Sequence, residues 1–215
     1  MAINRNSLSE QIYTQLREDI LTGRIPQGQK LTLRELQDRF EVSSTPVREA
    51  LTRLAQDRLV DYVTNQGAKV VELTEEDVRN LLELGCLYDC YAAEKILREE
   101  KELQEAAVAA LRAALERQSR YIDHPQEQKA EYGHIFGGFH EVLYTCTGNA
   151  WLLYSALQNH GLLYLADIQL GGQNYPQEAL NEHRAILDAL AGGDLPGTLE
   201  RIRSHREHER RRFGV

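Results

Sequence analysis

The stretches VSSTPVREALTRL, at Val42–Leu54, and LVDYVTNQGAKVV, at Leu59–Val71, decide the fold of the N-terminal third of this chain. The first has apolar residues spaced as on one face of a helix: Val47, Ala50, Leu51 and Leu54. This spacing predicts a helix, about Ser43–Asp57, that buries one face and exposes the other. The second stretch predicts two strands, Tyr62–Thr64 and Lys69–Glu72, joined by a short polar turn.

Two further helices are predicted before this pair of stretches. Leu8–Thr22 carries large aliphatic residues at helical spacing, and Gly23 suits the C-cap. Leu33–Phe40 follows, with Thr32 placed to act as its N-cap. Three helices followed by a β-hairpin make a winged helix-turn-helix, which we predict for residues 1–74.

The exposed face of the third helix carries side chains suited to reading duplex DNA. Small hydroxyl groups and one arginine lie near its N-terminus: Ser43, Ser44, Thr45 and Arg48. The hydroxyls and the end amides can hold phosphates, and the arginine can reach guanine or a phosphate. Further contacts are expected from the second helix and the wing: Arg34, Asn65, Gln66, Gly67 and Lys69. Gly67 is expected at the wing tip, where the backbone approaches the minor groove. A protein-interaction module of the same architecture is the alternative.

After Leu73 the sequence holds only helical signals. The predicted helices are 75–99, 101–121, 126–146, 150–169, 176–191 and 196–212. Breakers separate them, among them Gly148-Asn149 and Gly192-Gly193-Asp194. Short connections predict an antiparallel six-helix bundle over residues 75–215. The chain is therefore expected to be mostly α, with two domains.

Charge is distributed unevenly along the 215 residues. The formal net charge is −8, whereas residues 1–74 hold ten Lys or Arg and ten Asp or Glu. The excess acidity therefore lies in the second half, and the first half is expected to bind DNA modestly and in a salt-sensitive way. The sequence shows no secretory signal and no apolar run that would span a bilayer. Three cysteines without framework spacing indicate reduced thiols in a cytoplasmic protein.

Three histidines of the second half lie on apolar faces of separate predicted helices: His140, His183 and His205. A single such residue would be read as a core side chain satisfied by a hydrogen bond. Three that converge in a bundle interior are what Zn²⁺ or Ni²⁺ prefers. His134 and His160 are weaker candidates, because both are read more easily as surface or packing residues.

The run GQKLTLRELQDRFEVSSTPVREALTRLAQDRLV, with the downstream NQGAKV, resembles the N-terminal domain of the GntR family of bacterial transcription regulators. The resemblance covers about Ser7–Leu73. It implies DNA contacts at the positions of Arg34, Ser43, Ser44, Thr45, Arg48 and Gly67. The family commonly has arginine at position 44, so Ser44 implies an altered operator preference, worth roughly 1–3 kcal/mol if that arginine reads a base.

The segments FHEVLYTCTGNAWL, EHRAILDALAGGD and SHREH are similar to the all-helical ligand-sensing domain of the FadR-type branch of that family, with six helices as in its VanR-like subgroup. This resemblance implies a divalent metal held by one Asp and three His, with carboxylate effectors completing the coordination. His140, His183 and His205 match the three His, but Phe136 stands in place of the Asp. A three-His site and a metal-free site are both left open. Gly85 replaces an arginine common in relatives, which implies a smaller, less acidic or more aromatic effector, with Tyr88, Tyr91, Tyr132, Tyr144 and Trp151 as candidate lining.

These observations predict a ligand-responsive transcription regulator and not an enzyme. A homodimer would place two recognition helices in successive major grooves of a pseudo-palindromic operator. A small-molecule effector, such as an organic acid, or a metal would bind the second domain, and repression is the more common habit of the family. The alternative from another class is a metal-dependent enzyme that uses the histidines. It would need a general base or nucleophile beside the metal, and no carboxylate stands out by spacing.

Overall fold

The computed structural model describes residues 7–63, 67–123, 138–169 and 176–215, and within it the chain packs as two compact units. The first unit contains the described residues up to Thr74 together with Tyr164–Gln169. The second contains the described residues of Glu75–Leu163 and of Leu170–Val215. The chain is mostly helical, as the sequence predicted.

The first unit consists of three helices and a small sheet. The helices are α1 (Leu8–Leu21), α2 (Leu33–Phe40) and α3 (Ser44–Gln56). The strands are β1 (Lys30–Leu31), β2 (Val60–Val63) and β3 (Gly67–Val70). The sheet is antiparallel, with the strands in the order β1-β3-β2.

The wing differs from the sequence prediction in two respects. Its strands lie about two residues earlier than predicted, because Val60 pairs with Val70 and both side chains are buried. The sheet also has a third strand, β1, which sequence patterning missed because it is only two residues long. Leu31 of this strand is buried and pairs with Ala68.

The predicted helix signals of the first unit explain where its helices begin. Thr32 and Glu35 form a reciprocal capping box at the start of α2. Ser43 occupies the N-cap position of α3, although its hydroxyl makes no capping hydrogen bond. The apolar faces of α1 and α3 meet in the core, where Leu16, Ile20 and the predicted set from α3 have 0% exposure: Val47, Ala50, Leu51 and Leu54.

The described residues after Thr74 form six helices, which belong to the second unit except for the stretch Tyr164–Gln169. They are α4 (Glu75–Arg98), α5 (Lys101–Asp123), α6 (Phe139–Thr145), α7 (Ala150–Gln169), α8 (Pro176–Ala191) and α9 (Leu195–Phe213). Of the helix predicted over 126–146, α6 is the part among the described residues, and 126–137 lies outside them. No helix in the described ranges combines the length and apolar character needed to cross a membrane.

Two of the predicted breakers act as helix caps in this unit. The side chain of Asn149 accepts hydrogen bonds from the backbone amides of Trp151 and Leu152, at the start of α7. Asp194 caps α9 in the same way, through the amide of Gly197 at 3.0 Å. The caps fix where α7 and α9 start, and α9 carries one of the three predicted metal-binding histidines.

Candidate functional site

The outer face of α3 presents the side chains that the sequence analysis singled out. Ser43, Thr45 and Arg48 are exposed, and Ser44 is half-buried. Thr45 and Arg48 line a shallow groove together with Thr52, whose hydroxyl donates to the carbonyl of Arg48 at 2.8 Å. The helix therefore offers hydroxyls and a guanidinium on the face opposite to its buried one.

The other predicted DNA contacts lie on α2 and on the wing. Arg34 is exposed on α2. Lys69 of β3 is half-exposed and forms an ion pair with Glu72. Asn65 and Gln66 lie outside the described residues.

Gly67 is not at an exposed wing tip, which corrects the sequence expectation. It is buried and begins β3, with φ +98°. A Cβ atom at this position would lie 2.4 Å from the carbonyl oxygen of Leu31 in β1. Glycine is therefore required here by the close approach of two strands.

Ion pairs that sequence reasoning missed tie α1 to the other two helices of this unit. Arg53 of α3 pairs with Glu10 of α1 and stacks over the ring of Tyr13, with its guanidinium carbon 4.0 Å from the ring centroid. Asp19 of α1 is buried and accepts from Arg39 of α2 and from Arg24. Arg53 therefore holds α3 against α1, and the pair of Arg39 with Asp19 holds α2 against α1.

The three predicted metal-binding histidines meet in the second unit. His140, His183 and His205 are buried, and each offers a ring nitrogen within 4.8 Å of the other two. The Nε2 atom of His140 lies 3.2 Å from that of His205 and 3.1 Å from that of His183. We call these residues the His triad.

Each triad ring has an acceptor on its other nitrogen, Nδ1. Asp89 Oδ1 lies 2.9 Å from Nδ1 of His140, and Gln118 Oε1 lies 2.9 Å from Nδ1 of His183. Glu182 Oε2 lies 2.6 Å from Nδ1 of His205. Because carboxylate and amide oxygens accept, a proton on Nδ1 satisfies each of these contacts, while Nη2 of Arg206 also lies 3.2 Å from Nδ1 of His140. The three Nε2 lone pairs then face one another.

The electrostatics of the His triad favour neutral rings at His140 and His183. Burial lowers the pKa of His140, although Asp89 works in the opposite direction. Burial also lowers the pKa of His183 well below its ordinary value, assisted by the neighbouring His205. Imidazole nitrogens whose lone pairs converge repel one another unless a cation lies between them. The residues present therefore fit a divalent metal.

A network of charged groups surrounds the triad on α4 and α9. Arg206 is buried and donates to Asp89 from Nε at 2.8 Å and from Nη2 at 2.7 Å. Tyr144 donates its hydroxyl to the same carboxylate at 2.7 Å. Burial alone would raise the pKa of Asp89, but Arg206 and His140 hold it well below its usual range.

Gly85 makes room for Arg206, which changes the expectation drawn from the missing arginine. A Cβ atom at Gly85 would lie 3.1 Å from the guanidinium carbon of Arg206. A cation is therefore present beside position 85, but it comes from α9 instead of α4. This finding removes the main reason for expecting a less acidic effector.

The structure describes some of the remaining candidate histidines and aromatic residues of the second domain. His160 is half-buried beside the triad, with its ring centroid 5.8 Å from that of His140, and burial lowers its pKa to about 4. Trp151 and Tyr91 are 82% and 47% exposed, so they do not line a buried pocket as the sequence suggested. Phe136, Tyr132 and His134 lie outside the described residues.

Sequence reasoning missed the acceptors and charged groups around the triad: Asp89, Gln118, Glu182, Arg206 and Glu209. A partial signal existed, because Glu182 and Arg206 are the immediate neighbours of His183 and His205. Asp89 and Gln118 are 51 and 65 positions away from the histidines that they contact, so no local pattern reveals them.

Two family models match this chain. The model described as bacterial regulatory proteins of the gntR family matches residues 8–70, and the FCD domain model matches residues 76–208. Together they cover both units.

Curated relatives match over most of the chain. A transcriptional regulator from an unstable DNA locus of Streptomyces ambofaciens is 32% identical over 90% of this chain and 80% of the relative. The regulator BphR of Paraburkholderia xenovorans is 27% identical over 95% of this chain and 84% of the relative. The transcriptional repressor RspR of Escherichia coli is 28% identical over 87% and 80%.

Solved structures share the fold. Escherichia coli McbR/YncC superposes with a TM-score of 0.73 at 18% identity, covering 94% of each chain. A putative GntR transcriptional regulator from Rhodococcus sp. RHA1 also gives a TM-score of 0.73, at 21% identity over 96% of this chain and 98% of its own.

Proposed function

Because the chain belongs to the GntR family of bacterial transcription regulators and carries an FCD domain, we propose that it is a ligand-responsive repressor that binds a pseudo-palindromic operator as a dimer. The matched relatives are transcription regulators, among them a named repressor. The alternative of a metal-dependent enzyme gains no support from them.

The observation that carries the DNA-binding proposal is the outer face of α3. Arg48 reads a base edge or a phosphate in the major groove, and the hydroxyls of Ser43, Ser44 and Thr45 hold flanking phosphates. Arg34 adds a contact from α2. Lys69, with Asn65 and Gln66, belongs to the wing, where the proposed contacts are to the DNA backbone and the minor groove.

The dimer proposal is supported by an apolar stripe on α4. Leu84, Leu87 and Tyr91 fall at i, i+3 and i+7, and they are 44%, 61% and 47% exposed. Large apolar side chains on one helix face that remain exposed in a single chain are typical of an interface. A two-fold axis along this face would bring the same stripe of a second copy against it.

The metal proposal is supported by the geometry of the His triad. Three neutral nitrogen ligands suit Zn²⁺ or Ni²⁺. A bound divalent cation would supply a Lewis acid that attracts an anionic effector. The protein orients the three rings through Asp89, Gln118 and Glu182, and burial keeps competing water away.

We propose a small organic acid as the effector class. The support is the divalent cation proposed at the His triad, because a bound cation attracts an anionic group. The change in operator affinity caused by the effector is set by how differently the effector binds two forms of the protein. One form binds the operator, and the other does not. An effector that binds both forms equally has no regulatory effect.

An operator-binding titration tests this function. Purified protein is titrated against the DNA upstream of its own gene, with Arg48→Ala beside Arg79→Ala, which removes an exposed positive charge from α4. We expect Arg48→Ala to abolish specific binding, and Arg79→Ala to bind like the wild type. Equal operator affinity for wild type and Arg48→Ala, with both folded by circular dichroism, would contradict the assignment.

A further inference from the structure

Glu209 lies beside the Nε2 atom of His205 in the His triad. It follows His205 by four positions on α9, so both side chains leave the same face of the helix. Its Oε1 atom lies 3.7 Å from Nε2 of His205, the nitrogen that faces the other two rings. The other carboxylates beside the triad, Asp89 and Glu182, lie on the Nδ1 side of their rings. Among these three acids, Glu209 is therefore the one aimed at the converging lone pairs.

The second oxygen of Glu209 is anchored. Its Oε2 atom accepts from Nη1 of Arg206 at 2.6 Å, and Arg206 is in turn fixed by Asp89. One oxygen is thus held by a buried guanidinium while the other points to the triad. Ligating carboxylates in metal sites are usually oriented by a hydrogen bond of this kind.

Three of the distances among the four atoms approach those of a tetrahedral site. Ligand atoms bound to one tetrahedral zinc lie roughly 3.3 Å apart. The Nε2 atom of His140 lies 3.2 Å from Nε2 of His205 and 3.1 Å from Nε2 of His183. The Oε1 atom of Glu209 lies 3.7 Å from Nε2 of His205. To occupy the fourth corner, Glu209 must move toward His140 and His183, because the ligand atoms that lie within 4.8 Å of one another are those of the three histidines.

Charge balance favours the same arrangement. Three neutral imidazoles cannot neutralise a divalent cation, and a buried uncompensated charge is costly. On the side of the triad where Arg206 lies, two carboxylates, Asp89 and Glu209, face one guanidinium. One negative charge is left over, and it is available to the cation.

We propose that Glu209 is the anionic fourth ligand of the metal held by His140, His183 and His205, and that Arg206 positions it. The proposal rests on the proposed function of the His triad as a divalent-metal site. The resemblance implied an aspartate ligand at position 136, where this chain has Phe136. Glu209 of α9 would supply the anionic ligand in its place.

Zinc affinity of full-length variants tests the assignment. Zinc is titrated against a chromophoric chelator in the presence of wild type, Glu209→Gln, Glu207→Gln and His183→Ala. Glu209→Gln keeps the size of the side chain and an oxygen for Arg206 but removes the charge. Glu207→Gln removes a half-exposed charge from the same helix, where it pairs with Arg211. We expect Glu209→Gln to weaken zinc binding by at least about tenfold, Glu207→Gln to match the wild type, and His183→Ala to lose the site.

The outcomes separate the two proposals. If wild type and His183→Ala bind zinc equally weakly, the metal site itself is wrong and the ligand assignment falls with it. If wild type binds tightly, His183→Ala does not, and Glu209→Gln equals wild type, only the role of Glu209 is overturned. If Glu209→Gln does not fold, Glu209→Asp replaces it, because aspartate keeps the charge but has a shorter side chain. Unchanged zinc affinity of Glu209→Asp would also contradict the ligand role of Glu209.

A crystal structure of the zinc-loaded wild type distinguishes direct ligation from an indirect effect through Arg206. Direct ligation places Oε1 of Glu209 at about 2.0–2.2 Å from the zinc. A carboxylate that stays with Arg206 while water fills the fourth position would overturn the proposal.

Discussion

At the scale of single residues, Gly85 and Arg206 form a complementary pair. The absence of a side chain at position 85 gives the guanidinium its space, with the nearest approach of a hypothetical Cβ at 3.1 Å. The positive charge beside the His triad therefore depends on two positions in different helices. A comparison that considers position 85 alone would conclude that the charge is absent.

Gly67 is the residue at which a single methyl group should be least tolerated in the first unit. Gly67→Ala would combine a positive φ with a backbone contact of 2.4 Å to Leu31. We expect a loss of unfolding free energy above the roughly 1–3 kcal/mol of backbone strain alone, because the opposing carbonyl belongs to a paired strand. Urea unfolding of the purified variant measures it.

Gly28→Ala is the matched control for Gly67→Ala. Gly28 also has a positive φ, of +70°, but its hypothetical Cβ meets the end of the Glu72 side chain, which can rotate away. Gly28→Ala should lower the free energy of unfolding by no more than the cost of the backbone strain. Equal losses for the two variants would show that the contact with Leu31 is not decisive.

At the scale of elements, the pose of α3 depends on α1. Tyr13 of α1 donates to Asp57 just after α3, and Arg53 of α3 pairs with Glu10 of α1. Both contacts join the first turns of α1 to the C-terminal end of α3. Changes on α1 can therefore alter operator affinity without touching the outer face of α3.

The ion pair of Asp19 with Arg39 makes the contact between α1 and α2 sensitive to acid. Burial works to raise the pKa of Asp19, but hydrogen bonds from Arg39, Arg24 and Gln15 lower it below the ordinary value. Since the folded pKa is the lower one, the stabilisation is complete above about pH 4 and is lost as the pH falls through the folded value. We expect Asp19→Asn to cost about 1–3 kcal/mol at pH 7 and to lessen the loss of stability in acid.

Denaturant unfolding between pH 7 and pH 2 tests this prediction. Asp38→Asn is the control, because Asp38 is exposed on α2. It should keep the acid dependence of the wild type. An Asp19→Asn profile parallel to that of the wild type would assign the acid sensitivity to other carboxylates.

At the scale of the whole molecule, the apolar stripe of α4 is expected to hold two copies together. Leu87→Glu places a charge in the middle of the stripe, at a side chain that is 61% exposed and so contributes little to the fold of one chain. We expect the mass in solution, measured by light scattering at micromolar concentration, to fall from dimer to monomer.

Leu103→Glu is the control for surface charge, because Leu103 is 57% exposed on α5. It should leave the mass unchanged. A Leu87→Glu variant that keeps the mass of the wild type would place the interface elsewhere, and loss of dimer in both variants would point to a general effect of added charge.

The fold was largely accessible from the sequence, whereas the surroundings of the site were not. Periodicity identified the buried face of α3 and placed His140, His183 and His205 on inward faces, because both depend on neighbours within one helix. The strand β1 was too short to leave a pattern, so the close contact at Gly67 was missed. Asp89 and Gln118 reach their histidines only through tertiary packing, which local spacing does not encode.

The three histidines of the triad also lie far apart along the chain, on α6, α8 and α9, and His140 and His205 are 65 positions apart. A cation shared by them closes a long loop, as a disulfide does, but through bonds that a chelator reverses within the lifetime of the protein. While the cation is bound, the C-terminal helix α9 is held to α6 and α8 through the three histidines. Metal supply would thus set how readily this end of the chain opens to proteases.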